Sequence, residues 1–261
     1  MKQTIALSFI LLISVGATAQ NTIGLPEIVS YPKQVYKAGT QNWDICQDKG
    51  GLLYFANNEG LLSFDGNYWK LYPLPNKTIV RSVAIADDNK IYVGGQDEMG
   101  YFSPDTTGTL KYHTLKNLIP EKNRSFADVW DIVCSENQVL FRSKEQILQL
   151  SDNRITIYPA DNWLFMGATT HSLIAQDYNK GILLFKNGMW TPIATTNAMP
   201  ADFLITAVLD AGKDSILITS LKHGVYLYCN NKLTPFQSPD LTTIADYNIY
   251  NASVIDNGHI A

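Results

Sequence analysis

Short runs of β-forming residues alternate with turn residues along most of this chain. Between Tyr54 and Leu74, for example, Asn-Asn-Glu-Gly and Asp-Gly-Asn separate the runs Leu-Leu-Ser-Phe and Tyr-Trp-Lys-Leu-Tyr. Runs of this length, rich in aromatic and aliphatic residues and bounded by Gly, Asn and Asp, predict short strands joined by tight turns. Because a few short strands are only marginally stable alone, we expect them to pack against further sheets.

This pattern repeats along the chain. Asn58-Glu-Gly-Leu-Leu-Ser-Phe-Asp-Gly-Asn is echoed by Glu98-Met-Gly-Tyr-Phe-Ser-Pro-Asp and by three weaker copies further on. The turn residues that anchor the five copies are 40, 46, 35 and 43 residues apart, and they are Gly60, Gly100, Gln146, Gly181 and Gly224. Repeats of this length with several strands each predict the blades of a β-propeller.

One repeat divides cleanly into four strands, Arg81–Ala86, Lys90–Gly95, Gly100–Ser103 and Leu110–Leu115. We therefore predict an all-β fold, a β-propeller of four-stranded antiparallel blades, in which the aromatic residues form the core between neighbouring blades. Five blades fit the sequence, and they begin near Trp43, Arg81, Trp130, Leu164 and Thr206.

The two ends of the repeat region predict an incomplete propeller. A sixth blade opens at Asn251 and stops at Ala261, inside its expected second strand. Glu27–Tyr36 is predicted to be an additional strand before the first full blade. Propellers pair such a strand with strands from the opposite end of the chain. We expect the chain to be the N-terminal part of a longer protein and its five complete blades to form an open arc.

The N-terminus predicts export from the cytoplasm. Lys2 is followed by the apolar run Ile5–Val15, which is short for a membrane span, and then by Ala17-Thr18-Ala19. These features in this order favour a signal peptide over residues 1–19, rather than an uncleaved anchor or a buried first strand. Residues 20–261 then form the partial propeller, in the periplasm.

Composition narrows the partners and the chemistry. The 261 residues are 46% hydrophobic, which is enough to form a sizeable core. The net charge is −4 and the sequence has no basic stripe, which argues against nucleic acid as a partner of this part. The sequence contains no Cys-x-x-Cys motif and no Cys/His cluster, so we predict no metal or redox site and no cofactor. The cysteines Cys46, Cys134 and Cys229 lie in different repeats and are predicted to be free buried thiols.

Several segments resemble the two-component regulator propeller repeats of Bacteroidetes sensors. These are Gln41-Asn-Trp-Asp-Ile, Gly60-Leu-Leu-Ser-Phe-Asp-Gly, Trp69-Lys-Leu-Tyr-Pro-Leu, Ile91-Tyr-Val-Gly-Gly-Gln-Asp-Glu-Met-Gly-Tyr-Phe and Ser125-Phe-Ala-Asp-Val-Trp-Asp-Ile. In the last two repeats the resemblance thins to spacing and a Lys-Gly or His-Gly turn. It implies a periplasmic sensor for signal transduction and transcription regulation. Members add a triple-tyrosine domain, a membrane span and a LuxR-type helix-turn-helix or histidine kinase output.

We predict no catalytic residues. Asp44 and Asp131 each follow a Trp at matching positions of two blades, and this repetition favours an architectural role over acid–base chemistry. No nucleophile and base pair can be assigned, so the chain is interpreted as a non-enzyme.

Ligand-binding residues are expected at one end of the blades. The loops between first and second and between third and fourth strands are mostly tight, whereas the second-to-third loops and the inter-blade connections are longer. These longer segments carry the predicted binding residues Asn57, Glu59, Gln96, Asp97, Glu98, Arg124, Phe126, Asp128, Trp163, Tyr178 and His223. Mixed polar and aromatic residues suit a small polar ligand, such as a glycan fragment or peptide. A solvated rim is the alternative for each residue, and Asp97 and Glu98 could equally make a blade-to-blade contact.

Three functions fit the sequence. The first is an extracytoplasmic sensor of a small polar ligand or of an extracytoplasmic protein, which signals through the C-terminal remainder of the same polypeptide. The second is an envelope scaffold that binds proteins. The third is a propeller carbohydrate-active enzyme, which would need a cluster of carboxylates, His or Tyr facing the central channel. The resemblance favours the first function. The fold alone would not decide among the three, because one fold supports many functions.

Overall fold

A computed structural model describes residues 28–135, 137–212, 214–244, 247–255 and 260–261. The predicted signal peptide and His259 lie outside these residues. Residues 28–32 belong to a first unit, Met1–Pro32, and contain no helix or strand. The second unit, Lys33–Ala261, contains every strand named below. Within the described ranges, no helix is both long and apolar enough to cross a membrane.

The described part of the second unit forms five four-stranded antiparallel sheets, each built from consecutive strands that pair in chain order. The strands are β1 Asn42–Gln47, β2 Leu53–Asn57, β3 Gly60–Phe64 and β4 Trp69–Tyr72; β5 Val80–Ile85, β6 Ile91–Gly95, β7 Met99–Pro104 and β8 Leu110–Thr114; β9 Asp131–Ser135, β10 Gln138–Arg142, β11 Gln146–Ser151 and β12 Arg154–Pro159; β13 Trp163–Ala168, β14 Leu173–Asp177, β15 Gly181–Lys186 and β16 Met189–Ala194; β17 Ile205–Asp210, β18 Ser215–Ser220, β19 Gly224–Cys229 and β20 Lys232–Pro235. The five predicted blades are confirmed, and each begins within one residue of its predicted start.

The blades pack face to face in sequence order. The first strand of each blade is its innermost one, and β1, β5, β9 and β13 each contact the innermost strand of the next blade, which for β13 is β17. Between the blades lie apolar clusters to which both neighbours contribute, as where Ala56 and Leu61 of the first blade meet Val80 and Phe102 of the second. This packing explains the many aromatic residues of the sequence, since four-stranded sheets this small bury apolar area only against one another.

Tight turns close the strand pairs at one end of the blades. Asp65 Oδ1 accepts hydrogen bonds from the N–H groups of Asn67 and Tyr68, at 2.8 and 2.7 Å. Asn89 and Asn187 adopt left-handed backbone conformations, with φ of 60° and 51°, which Asn tolerates better than most residues. Asx turns and left-handed Asn residues are the turn chemistry that the sequence pattern predicts.

The short helices lie outside the blades. Helix α1 covers Lys33–Tyr36, and single 3₁₀ turns cover Lys116–Leu118, Glu121–Asn123 and Thr196–Ala198. A longer 3₁₀ segment, Pro239–Ile244, follows the last strand.

The predicted additional strand over Glu27–Tyr36 is wrong for the residues that the structure describes. Residues 28–32 are irregular and Lys33–Tyr36 is helical, while Glu27 lies outside the described residues. Pro32 precedes the helix directly, and proline is favoured at helix starts because it lacks an N–H that would be unpaired there. Lys37 ends the helix in a left-handed conformation, with φ of 51°.

The predicted start of a sixth blade is represented by one bridge. Val254 pairs with Ile260, and Ser253 and Ala261 exchange two backbone hydrogen bonds of 3.0 Å. These contacts join the two ends of the predicted hairpin, and residues 256–259 lie outside the described residues. No named strand forms among the described residues of this segment.

Candidate functional site

The predicted binding residues all lie at the expected end of the blades, but their side chains differ in exposure. Glu59, Gln96 and Tyr178 are exposed. Asp97, Arg124, Asp128 and His223 are half-buried, and Asn57, Glu98, Phe126 and Trp163 are buried.

The buried polar members of this set are hydrogen-bonded within the protein. The Asn57 side chain donates to the Gly39 carbonyl at 2.7 Å and accepts from the Gly39 N–H at 2.9 Å. Glu98 Oε1 accepts hydrogen bonds from the hydroxyls of Tyr112 and Thr114, at 2.9 and 2.7 Å. Such bonds satisfy polar groups that burial removes from water, and they occupy atoms that a ligand would otherwise contact.

Asp97 and Arg124 hold the connection between the second and third blades. Asp97 Oδ1 accepts hydrogen bonds from the N–H groups of Phe126 and Ala127, at 2.7 and 2.8 Å. Arg124 Nε donates to the Ile119 carbonyl at 2.8 Å. Asp97 and Ala127 both have positive φ, 51° and 55°, so the carboxylate fixes a loop with an unfavourable backbone conformation.

We therefore expect Asp97→Ala to lower the free energy of unfolding by about 1–2 kcal/mol, because two backbone donors lose a charged acceptor. Chemical denaturation measures this cost, with Gln96→Ala as the exposed neighbour control at the same loop. Equal stability of both variants would show that Asp97 does not hold the connection.

Asp128, in the same connection, contacts the surface that the innermost strands form, and we call this surface the wall. Its Oδ1 accepts a hydrogen bond from Arg81 Nε at 3.2 Å, in a pair whose side chains are 14% and 23% exposed. The Arg81 guanidinium stacks on the Trp43 ring at 4.0 Å and lies 5.0 Å from the Trp130 ring. The two indoles meet edge to face at 6.0 Å. Each Trp remains 39% exposed.

The three residues converge because they occupy equivalent positions in three blades. Trp43 and Arg81 lie in β-bulges at the starts of β1 and β5, where the pairing skips one residue. Trp130 directly precedes β9. A bulge turns one side chain out of the regular alternation of the strand, so these side chains point along the wall rather than into the blade interfaces.

An aspartate follows each of the two tryptophans, Asp44 after Trp43 and Asp131 after Trp130, and each aspartate joins neighbouring blades. Asp44 Oδ2 accepts from the Val83 N–H at 3.0 Å, and Asp131 Oδ2 accepts from the Met166 N–H at 2.8 Å. Arg142 also donates from Nε to Asp131 Oδ2. The architectural role predicted for both aspartates is confirmed, since each links its innermost strand to that of the following blade.

A cleft of about 560 Å³ lies on this wall, with residues of four innermost strands around it, and we call it the inner-strand cleft. Its polar and aromatic residues are Trp43, Asp44, Arg81, Trp130 and Asp131. Burial raises the pKa of Asp44 above its ordinary value, and repulsion from Asp131 adds to the rise, against the effect of its two backbone hydrogen bonds.

The thiols near this cleft are poor nucleophiles. Cys46, Cys134 and Cys229 are free, as predicted, but all three are half-buried, so the prediction that they are buried is wrong. Burial raises the pKa of Cys46 and of Cys134 to about 12, so both stay protonated near neutral pH. Among the residues that the structure describes, no group of three or more His, Cys, Asp or Glu is placed to hold a metal ion.

The repeated Trp-Asp pairs at Trp43 and Trp130 are the sequence signal for this cleft. The repetition predicts the architectural role of the aspartates, but it does not predict a binding role for the tryptophans. Their indoles are exposed beside Arg81, a residue noted only as a blade start. A bulge places Trp43 and Asp44 on different surfaces, and Trp130 lies just before β9. The sequence alone shows neither feature.

Solved structures with the same arrangement include sensor domains. The extracellular domain of BT4673 from B. thetaiotaomicron, assigned as a hybrid two component system, matches with a TM-score of 0.62 at 15% identity over 86% of this chain and 30% of that chain. The extracellular domain of BT3049 from the same organism matches with a TM-score of 0.51 at 13% identity, over 89% of this chain and 40% of that one. Two-component sensors share this fold. They match the class of sensor that the sequence motifs resemble.

The propeller is also similar to an enzyme. A catalytically inactive form of virginiamycin B lyase from Staphylococcus aureus with quinupristin matches with a TM-score of 0.65 at 15% identity, over 90% of this chain and 86% of that chain. No protein-family model and no curated protein sequence matches this propeller. At such identities the likeness shows the fold alone, and the propeller spans less than a third of the BT4673 domain.

Proposed function

We propose that this chain is the ligand-sensing propeller of an exported signal-transduction protein, with the inner-strand cleft as its ligand site. One observation carries the proposal: the residues Trp43 and Trp130 stay 39% exposed, beside the half-buried Arg81, in a cleft of about 560 Å³. Clefts of a few hundred Å³ with aromatic walls and a few fixed polar groups are typical of small-molecule sites.

Location and output follow from the same proposal. The leader-like residues 1–19 would direct the chain to the periplasm, and the likeness to extracellular sensor domains supports that side of the membrane. A membrane span and a cytoplasmic helix-turn-helix or histidine kinase output, as in the family that the motifs resemble, would carry the signal to transcription.

The predicted binding residues at the loop end of the blades, which we call the loop-end residues, form a second contact surface in this proposal. Glu59, Gln96 and Tyr178 are exposed there, so a larger ligand or an extracytoplasmic protein partner could contact them. The buried loop-end residues would act by shaping this end of the blades.

An enzyme is the second candidate function, because virginiamycin B lyase shares the fold. The groups beside the inner-strand cleft argue for binding instead. In Asp44 and in Asp131, one carboxylate oxygen accepts a hydrogen bond from a backbone N–H of the next blade. The thiols of Cys46 and Cys134 have a pKa of about 12 and therefore stay protonated. We therefore propose that the chain is not an enzyme.

Deleting the encoding gene tests the sensor proposal. Transcripts are compared between the wild type, the deletion strain and a complemented strain, after transfer between nutrient sources, and the protein is located by cell fractionation. We expect a set of transcripts that responds to one nutrient in the wild type and the complemented strain but not in the deletion strain. Identical transcript responses in all three strains would contradict the proposal and favour an envelope scaffold.

A further inference from the structure

The inner-strand cleft already accommodates one cation. Arg81 lies 4.0 Å from the Trp43 ring centre and 5.0 Å from that of Trp130, which is within the range of a cation–π contact. Its stacking occupies part of the two indoles, and 39% of each Trp remains exposed. Any indole face that Arg81 leaves open carries the same negative potential that attracts Arg81.

The charges around the cleft leave one carboxylate without a counter-ion. Arg81 pairs with Asp128, and Arg142 pairs with Asp131. Asp44 accepts hydrogen bonds from the N–H groups of Ile45 and Val83, and no described cation lies within ion-pair distance of it. A positive group beside Asp44 would offset part of the cost of keeping this half-buried carboxylate ionised.

An anionic ligand fits the same surroundings less well. It would meet the carboxylates of Asp44 and Asp131, which line the cleft, and the negative faces of two indoles. Arg81 Nη1 has no hydrogen-bond partner among the described residues, but this atom is buried, so an anion could reach it only by displacing neighbouring side chains. We therefore expect the accessible surface of the cleft to attract a cation more strongly than an anion.

We propose that the inner-strand cleft binds a small organic cation, such as a quaternary or primary ammonium compound. The positive group lies against the exposed faces of Trp43 and Trp130 and near the Asp44 carboxylate, and the remainder of the molecule fills the cleft. This assignment rests on the proposed sensor function and specifies the chemical class of the ligand.

Three probes of the same shape and different charge test it on the purified exported chain: choline, its uncharged isostere 3,3-dimethyl-1-butanol, and the anion 3,3-dimethylbutyrate. Binding is measured by isothermal titration calorimetry. We expect choline to bind about tenfold more tightly than the uncharged isostere, as one cation–π contact beside a carboxylate allows. The anion should bind most weakly.

Variants locate the site. Trp43→Leu and Trp130→Leu should each abolish the preference for choline, whereas Trp43→Phe and Trp130→Phe, which keep an aromatic face, should retain part of it. Asp44→Asn should weaken choline binding about fivefold and leave the uncharged isostere unchanged. Tyr68→Leu is the control, because Tyr68 is an exposed aromatic residue in a tight turn of the first blade and lies outside the cleft.

Equal binding of the three probes, a preference for the anion, or no binding of choline at millimolar concentration would overturn the inference. Choline binding that survives both Leu substitutions would overturn it as well, because the cation would then bind elsewhere. None of these outcomes touches the gene-deletion experiment, so the sensor function and the ligand class fail independently.

Discussion

Arg142→Ala should lower the free energy of unfolding by about 3 kcal/mol, the lower end of the cost of breaking a buried ion pair, because the Asp131 side chain stays 26% exposed. The Arg142 side chain is buried, and its Nη1 donates to the Trp163 carbonyl of the next blade at 2.9 Å. It also pairs with Asp131, which accepts from the Met166 N–H of that same blade. Removing the guanidinium leaves the Asp131 carboxylate without its counter-ion and one buried carbonyl without a donor.

Urea denaturation of the purified chain measures this effect. The matched control is Lys90→Ala, because the Lys90–Asp88 ion pair is 37% and 45% exposed and should contribute no more than about 1 kcal/mol. A cost for Arg142→Ala as small as that for Lys90→Ala would contradict the assignment of this ion pair as a joint between the third and fourth blades.

Gly181→Ala should cost about 3 kcal/mol or more, since it combines backbone strain with a steric clash. Gly181 begins β15 with φ of 88°, a conformation that favours glycine. A Cβ atom there would lie 2.2 Å from the Ala194 carbonyl oxygen and 2.9 Å from the Thr195 carbonyl carbon. Both are backbone atoms at the end of β16, so the sheet itself would have to move.

Gly188→Ala separates the two contributions. Gly188 has a similar φ of 76°, but a Cβ there would meet no atom within 4 Å, so only backbone strain of about 1 kcal/mol is expected. Thermal unfolding of both variants gives the comparison. If the two substitutions lower the midpoint equally, close packing at Gly181 makes no contribution.

The repeat could be predicted from the sequence because its strongest signal has a local cause. Gly60 and Gly181 both begin a third strand where a Cβ would strike the carbonyl oxygen of the paired fourth strand, Tyr72 or Ala194. Each blade that makes this contact needs a glycine there, and the spacing of these glycines therefore marks the blades. Turn residues such as Asp65 have an equally local cause in their own backbone hydrogen bonds.

Features that depend on contacts between residues distant in the sequence could not be predicted. Glu98 and Asn57 are polar loop-end residues in the sequence, and only the folded chain shows that their side chains are buried and hydrogen-bonded internally. The Trp43–Arg81–Trp130 cluster joins residues 38 to 87 positions apart, through bulges that no residue type specifies. Lys33–Tyr36 is helical although Val35 and Tyr36 are good β-formers, so local propensity alone predicts a strand there.

The transcript response of a strain whose chromosomal gene carries both Trp43→Leu and Trp130→Leu tests the central claim most directly. The comparison strain carries Tyr68→Leu, and equal protein levels in the envelope fraction are required of both. We predict that transcripts responding to a nutrient in the wild type and in the Tyr68→Leu strain lose that response in the double variant. A full response in the double variant would show that the inner-strand cleft is not the sensing site.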